Sequence, residues 1–422
     1  MEIEVSAIGA IAALVIAIIL ILKKVSPAYG MIAGALIGGL IGGVNVVDTV
    51  SLMIEGAEGI IPAVLRILAA GVLAGVLIQS GAASTIAESI IKAMGEKKAL
   101  LALALATMIL TTVGVFIDVA VITVAPIALA IGSRAGLSKT AILLAMIGGG
   151  KAGNIMSPNP NSIAAADAFN VPLTSVMAAG IIPAFFGIIV TYWVAKKLAN
   201  KGSFVELSEI QNNSGEKLPL LLPAVVAPVT AILLLALRPL FDIVIDPMVA
   251  LPIGGIVGAF SMGRIKRMNE YAVLGLNKMS PVAIMLLGTG TLAGIIGNSG
   301  LKDVVINGLQ AAGLPAYLLA PFSGAFMSMA TASTTAGTVV AGNVFGSTIM
   351  ELGVAGLAGA AMVHAGATVF DHLPHGSFFH ATGGSVFMDL KERMKLIPYE
   401  TLVGLTLAIV STLVFGVFKL FL

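Results

Sequence analysis

"GVLAGVLIQSG" (71–81) and "GTLAGIIGNSG" (290–300) agree at six of eleven positions and lie 219 residues apart. One glycine-rich match is easily found by chance in a chain with 49 glycines, so the test is whether the same register carries the surroundings. The apolar runs beginning at 6, 27 and 173 land near those beginning at 218, 248 and 398, and the polar interruptions of the two halves also correspond. The chain therefore reads as two homologous halves, 1–198 and 218–422. The polar stretch "ANKGSFVELSEIQNNSGEK" (199–217) reads as the linker.

Composition sets the medium. The 422 residues are 58% hydrophobic and 10% charged, against about 25% charged in a soluble domain. This is the composition of an all-α, polytopic membrane protein. Forty-nine glycines and 18 prolines spread through apolar stretches predict close helix packing and broken helices. With no cysteine, disulfides, thiolate metal sites and cysteine nucleophiles are excluded. No nucleic-acid partner and no cofactor are expected. The first apolar run is followed, not preceded, by Lys23 and Lys24, so it reads as a retained helix rather than a signal peptide.

Runs near the ~20 residues needed to cross a bilayer occur at 6–22, 27–47, 60–79, 173–195, 218–238, 248–263, 272–297 and 398–421. Regions 99–133 and 315–350 are too long for one crossing and are interrupted midway, at "TTVGVFID" (111–118) and "ATASTTAG" (330–337). Regions 140–170 and 354–388 are polar in the middle, at "GKAGNIMSPNPN" and "DHLPHGSFFHATGG", and read as helices broken at membrane depth. Segments 84–94 and 302–311 read as loop helices lying along opposite surfaces.

Cationic loops face the cytoplasm. Lys23/Lys24, Lys92/Lys97/Lys98, Arg134/Lys139, Lys196/Lys197/Lys201, Arg264/Lys266/Arg267 and Lys391/Arg393/Lys395 are therefore expected inside, and the acidic stretch 48–58 outside. Region 99–133 must then be a re-entrant hairpin open to the cytoplasm, and 315–350 one open to the outside. Each half makes five net crossings. An odd number inverts the second half, so the fold expected is two inverted-topology repeats, each with a hairpin and a broken helix, with both termini outside.

Inverted repeats gather their sites near the midplane, where unwound backbone must line water or be buried in protein. The four polar interruptions are expected to converge. From them we select Thr112, Lys151, Asn154, Ser157, Asn159, Ser333, Thr334, Thr335, His372 and Ser377 as substrate-binding candidates, and Asp118 and Asp371 as proton-coupling candidates. A carboxylate at the bilayer centre costs about 2.5–3.5 kcal/mol, so Asp118 must pair, protonate, face a cavity or cap the hairpin tip. Asp371 and His372 form a neighbouring acid and imidazole able to pass protons near neutral pH. Lys151 either snorkels inward, pairs with Asp118 or Asp167, or holds an anionic substrate. "GGGKA" lacks the spacing of a phosphate-binding loop. The hydroxyls and amides of "SPNPNS" and "TASTT" suit a polyol or carboxylate, and equally suit capping. His364, His375 and His380 read as satisfied polar groups. A metal site of Asp371, His372 and His375 lacks the i, i+4 histidine pair of a zinc helix, and no metal is expected.

"FIDVAVITVAPIALAIG" (116–132), "GKAGNIMSPNPNSIAAADAF" (150–169) and "DHLPHGSFFHATGGSV" (371–386) resemble the gluconate permease family of the GntP type, within the ion transporter superfamily. The resemblance covers nearly the whole chain. It implies proton-coupled import of a small sugar acid or hydroxy acid across the inner (cytoplasmic) membrane. It also implies an elevator arrangement of scaffold and transport domains, and a homodimer. Gluconate permeases carry an arginine just before the second hairpin tip, where this chain reads "FMSMATAST" (326–334). Gluconate, glycerate and D-serine therefore all stay open as substrates, as does sodium in place of the proton. An intramembrane metal-dependent enzyme needs one asymmetric constellation rather than two inverted copies, and a passive channel needs a continuous polar pore, so the repeat favours a secondary active symporter.

Overall fold

The computed structural model describes residues 4–209 and 218–420. Among these it has twenty α-helices and two isolated bridges, with no β-strand. The first half contains α1 (Ala7–Leu22), α2 (Pro27–Ile41), α3 (Val46–Glu58), α4 (Ile61–Gln79), α5 (Ala82–Met94), α6 (Ala99–Thr112), α7 (Ile117–Ala135), α8 (Lys139–Asn154), α9 (Pro160–Ala168), α10 (Leu173–Ala179) and α11 (Ile181–Leu198). The second contains α12 (Leu221–Phe241), α13 (Pro247–Ser261), α14 (Met268–Gly297), α15 (Leu301–Ala311), α16 (Leu319–Thr331), α17 (Thr334–Glu351), α18 (Gly356–Ala367), α19 (Ser377–Ser385) and α20 (Leu390–Ser411). Six helical stretches are long and apolar enough to cross a membrane, and the fold is that of an all-helical polytopic membrane protein.

Helix boundaries follow the sequence punctuation. Side-chain oxygens of Ser6, Asn45, Ser138, Asn159, Asp246, Ser333 and Asp389 cap helix starts, and proline stands in the first turn of α2, α9 and α13. Both hairpins form, α6–α7 and α16–α17, turning at Gly114 (φ 101°) and at Ala332 (φ 46°). Both interrupted regions are broken helices, α8–α9 and α18–α19. Of the linker 199–217, residues 210–217 lie outside the described residues. The part before them is pinned by Ser203, whose N–H and Oγ donate to Glu392 at 2.8 and 2.6 Å, and by Glu209, which accepts from Lys139 at 2.6 Å.

Shifted by about 219 positions, α1 and α2 fall on α12 and α13, and α5 to α9 fall on α15 to α19. Two places differ. α3 and α4 are separate helices whereas α14 runs unbroken through the equivalent region, and α10–α11 divide at Gly180 whereas α20 is continuous. The run 27–47, expected as one span, stops at Ile41, and the acidic stretch 48–58 is part of α3. Gly43, at φ 90°, turns the chain out of α2, and Asn45 restarts it by accepting from the Asp48 N–H at 3.0 Å. Arg393 was counted among the loop cations. It is instead buried in α20, paired with Glu400 and donating to the Phe379 carbonyl of α19.

The helices fall into two packing groups. One joins α1–α4 to α12–α14, and the other joins α6–α11 to α16–α20 around α8, every residue of which is buried. In the first group α4 crosses α14 at glycine distance. A Cβ on Gly71 would come within 2.9 Å of the Gly275 carbonyl, and one on Gly290 within 2.7 Å of the Gly56 carbonyl. Residues 71 and 290 are equivalent, as are 56 and 275, so the halves exchange partners along α14, at its crossing with α4 (Gly71–Gly275) and at its crossing with α3 (Gly56–Gly290). The same exchange recurs where α9 packs on α17 and α19 on α7. Between the groups, Arg66 of α4 binds Asp246, at the N-cap of α13, with Nη2 2.7 Å away, and also pairs with Asp167 of α9. Burial works to raise the Asp246 carboxyl, but the hydrogen bonds from Arg66 and the Met248 N–H outweigh it and hold it below its ordinary range.

Gly275→Ala is expected to lower the thermal stability of the purified protein, by about 1–3 kcal/mol, because its neighbour is backbone and cannot swing away. Gly297→Ala, with nothing within 4 Å of the added methyl, should be neutral or mildly stabilising. Equal melting temperatures for the two variants would contradict this account of the crossing.

Candidate functional site

α8 approaches its neighbours closely because glycine lines it. A Cβ on Gly149 would strike the Ala104 carbonyl of α6, and one on Gly153 the Met108 carbonyl. Packed this tightly, Lys151 has no route to solvent and is fully buried. Its ammonium crosses to the break of the second half, donating to the Thr368 carbonyl and to Asp371 Oδ1, each at 2.6 Å, and lying 3.0 Å from His372 Nδ1. Asp371 Oδ2 accepts from Thr334 Oγ1 of the second hairpin tip at 2.5 Å. His372 Nδ1 also lies 3.1 Å from Asp371 Oδ1, and its Nε2 is 3.1 Å from both the Ile397 carbonyl and Thr401 Oγ1. Both ring nitrogens are thus held within the protein, and the ammonium, carboxylate and imidazole form one buried, mutually bonded cluster.

Beside this cluster lies a cavity of about 710 Å³. All four polar interruptions reach it. The first hairpin contributes Asp118 and the second contributes Thr331 to Thr335, while the broken helices contribute Asn154 and Asn161 from one half and Asp371 and Ser377 from the other. The wall repeats by position but not by chemistry. Asp118 and Thr335 are each the second residue of their hairpin arm, as Asn161 and Phe378 are of α9 and α19. The remaining wall comes from the α1–α2 turn at Ser26 and from α14, where Lys278, Pro281 and Met285 face in.

Of the residues selected from sequence, Asp118, Asn154, Ser333, Thr334, Thr335, Asp371 and Ser377 line the cavity. Five do not. Thr112 bonds back to the Met108 carbonyl at 2.7 Å, and Asn159 caps α9 and donates to Asn154 Oδ1 at 2.5 Å. Ser157 is buried with no partner for its hydroxyl among the described residues. Lys151 and His372 stand behind Asp371, and Lys151 pairs with Asp371 rather than with Asp118 or Asp167, the latter being taken by Arg66. His372, expected to touch substrate, has both ring nitrogens engaged within the protein. Asp371 and His372 are held by Lys151, and among the described residues no group of His, Cys, Asp or Glu is placed to hold a metal ion. His380 bonds the Pro374 carbonyl at 2.8 Å and His375 is exposed. His364 is buried with its Nε2 unpartnered among the described residues, so it is not the fully satisfied group expected.

Among the wall residues that were not selected, Asn161 and Lys278 bear most on the chemistry. Asn161 is 4% exposed, with Oδ1 lacking a partner among the described residues. Lys278 is the one lysine in the apolar run 272–297, and that interruption was its only signal.

Comparison with known proteins bears on this arrangement. The GntP family permease pattern matches residues 2–418. An uncharacterized transporter of Haemophilus influenzae is 72% identical over 415 residues, covering 98% of this chain and 99% of that protein. The gluconate permease of Pseudomonas aeruginosa is 24% identical over 348 residues, covering 76% and 77%. Among solved structures, Neisseria gonorrhoeae MtrF, titled as illuminating a class of antimetabolite efflux pumps, superposes with a TM-score of 0.64 at 16% identity, over 89% of this chain and 85% of that one. At that identity the likeness concerns the fold alone.

Lys151→Met and Asp371→Asn should each destabilise the purified protein strongly, by about 3–5 kcal/mol, because each leaves a buried polar partner uncompensated. The double variant should melt above either single one. Additive losses in such a cycle would mean that the two groups do not interact as described.

Proposed function

The chain belongs to the GntP family of permeases, and on that premise we propose that it is a secondary active symporter importing a small sugar acid or hydroxy acid together with protons. Its relatives are named permeases and transporters, and the chain is not an enzyme. The observation that carries the proposal is the convergence of both hairpin tips and both helix breaks on one cavity of about 710 Å³, within the range of small-molecule sites.

The architecture proposed with it is two inverted repeats, 1–198 and 218–422, with 199–217 as a cytoplasmic linker. Hairpins 99–133 and 315–350 would then be re-entrant from opposite sides of the inner membrane, with both termini outside. The exchanged glycine contacts support this reading. In it, the group around α8 is the transport domain of an elevator, and the α1–α4 and α12–α14 group is the scaffold, carrying the homodimer contact. The cavity wall includes Ser26, next to the cationic Lys23/Lys24 turn, so the conformation is read as open to the cytoplasm and closed outside by the Arg66 cluster.

Coupling follows from the wall's charges. Asp118 has no hydrogen-bond or ion-pair partner among the described residues, so an ionised Asp118 repels an anionic substrate in the same cavity and a protonated one does not. Proton and anion thus favour each other's binding.

Proteoliposomes should show counterflow of one or more members of a panel of gluconate, other sugar acids, glycerate and D-serine, and accumulation driven by an inward proton gradient. Asp118→Asn should keep counterflow and lose gradient-driven accumulation. Accumulation driven only by a sodium gradient would transfer the coupling to that ion, and no counterflow with any acid would overturn the substrate class.

A further inference from the structure

We propose that the ammonium of Lys278 is the anchor for the substrate carboxylate, and that the groups opposite it read the substrate's hydroxyls. The inference rests on the transport reading of the same cavity. Lys278 stands ten residues beyond Met268, the start of α14, about 15 Å along the helix at 1.5 Å per residue. Its wall neighbours Pro281, Val282 and Met285 are apolar. It has no hydrogen-bond or ion-pair partner among the described residues. The other cation near the cavity, Lys151, is buried behind the wall and spent on Asp371. Lys278 is exposed where it lines the cavity, so an anion entering the cavity can reach its ammonium and supply the partner it lacks.

Register makes the same point. In the 219-residue register Lys278 falls on Gly59, where the first half has no side chain and its helix ends, while Pro281 falls on Pro62 of α4. The proline is part of the repeated design. The lysine is not, as expected of a group that serves an asymmetric ligand rather than the fold.

Across the cavity the chemistry changes. Asn161 Oδ1 is buried without a partner, and the hydroxyls of Thr335 and Ser377 are likewise uncommitted among the described residues. A molecule with one carboxylate and hydroxyls along a short chain satisfies both walls at once. The ammonium belongs to α14, packed against α2, α3 and α4, whereas the hydroxyl-reading groups belong to α9, α17 and α19. Bound substrate therefore bridges the two packing groups, and a neutral polyol does not.

The test is binding to purified full-length protein by calorimetry, with gluconate, glycerate and D-serine as acids and gluconamide as the neutral analogue. Lys278→Gln should weaken the acids by at least about tenfold, the scale of a lost charge-assisted hydrogen bond, and bring them level with gluconamide, while Lys278→Arg should keep the preference for acids. In unmutated protein, the best-bound acid should also protect Lys278 from amine acylation, read by mass spectrometry; this readout does not depend on the variant folding. Wild-type affinity in Lys278→Gln, or acylation unchanged by saturating acid, overturns the anchor and leaves the transport reading standing. Failure of the wild-type protein to bind any of the acids sinks both.

Discussion

An ammonium and a carboxylate 2.6 Å apart, both shut off from solvent, hold the centre of this structure together. A buried ion pair is a weak source of net stability, because desolvation cancels most of the attraction, but it is a strict condition on geometry. Lys151 comes from the first half and Asp371 from the second, and Thr334 and the Thr368 carbonyl complete the shell. Satisfying that one pair fixes the C-terminal end of α8, the break after α18 and the tip of the second hairpin relative to one another. The cavity wall is the outer face of this arrangement. Asp371 contributes to both, which ties the shape of the cavity to the integrity of the pair.

Glycine makes the placement attainable. Without the glycines at 149 and 153, α8 would stand off from α6 by the width of a side chain, and the Lys151 stem would have to reach farther to the second break. The same device works at Gly71–Gly275 and at Gly56–Gly290, where backbone packs on backbone. Lipid tails give helices no hydrophobic reason to associate, so close approach through small residues supplies the packing energy. Between the groups the contacts include the Arg66 cluster, whose charges are partly solvated and so are cheaper to break than a glycine crossing.

The sequence was most legible where local chemistry decides structure. Pro160, the glycines at 114 and 376 and the polar runs around them marked both breaks and one hairpin tip, and the register of 219 predicted which elements correspond. It misled where composition stands in for conformation. The uniformly apolar run 27–47 looked like one span, yet Gly43 turns the chain at a φ of 90° and Asn45 starts a new helix. Contacts across 220 positions left no local trace, so Lys151 was matched with Asp118 or Asp167, nearer in sequence, and not with Asp371. Lys278 escaped for a related reason. One lysine in a long apolar run looks like a snorkelling residue until the cavity on its face is known.

Two acids reach the cavity, and their surroundings separate their roles. A proton on Asp371 would leave the Lys151 ammonium buried against a neutral acid, with only the Thr368 carbonyl and an imidazole nitrogen to stabilise it. The cost of such an uncompensated charge is several kcal/mol, and it would be met on every transport cycle. Asp118 carries no such obligation. It stands in the first turn of α7 with no hydrogen-bond or ion-pair partner among the described residues, so a change in its charge strands no buried partner. On this ground Asp118, rather than Asp371, is the acid suited to the proposed proton coupling, and Asp371 holds Lys151 of the first half against the break of the second.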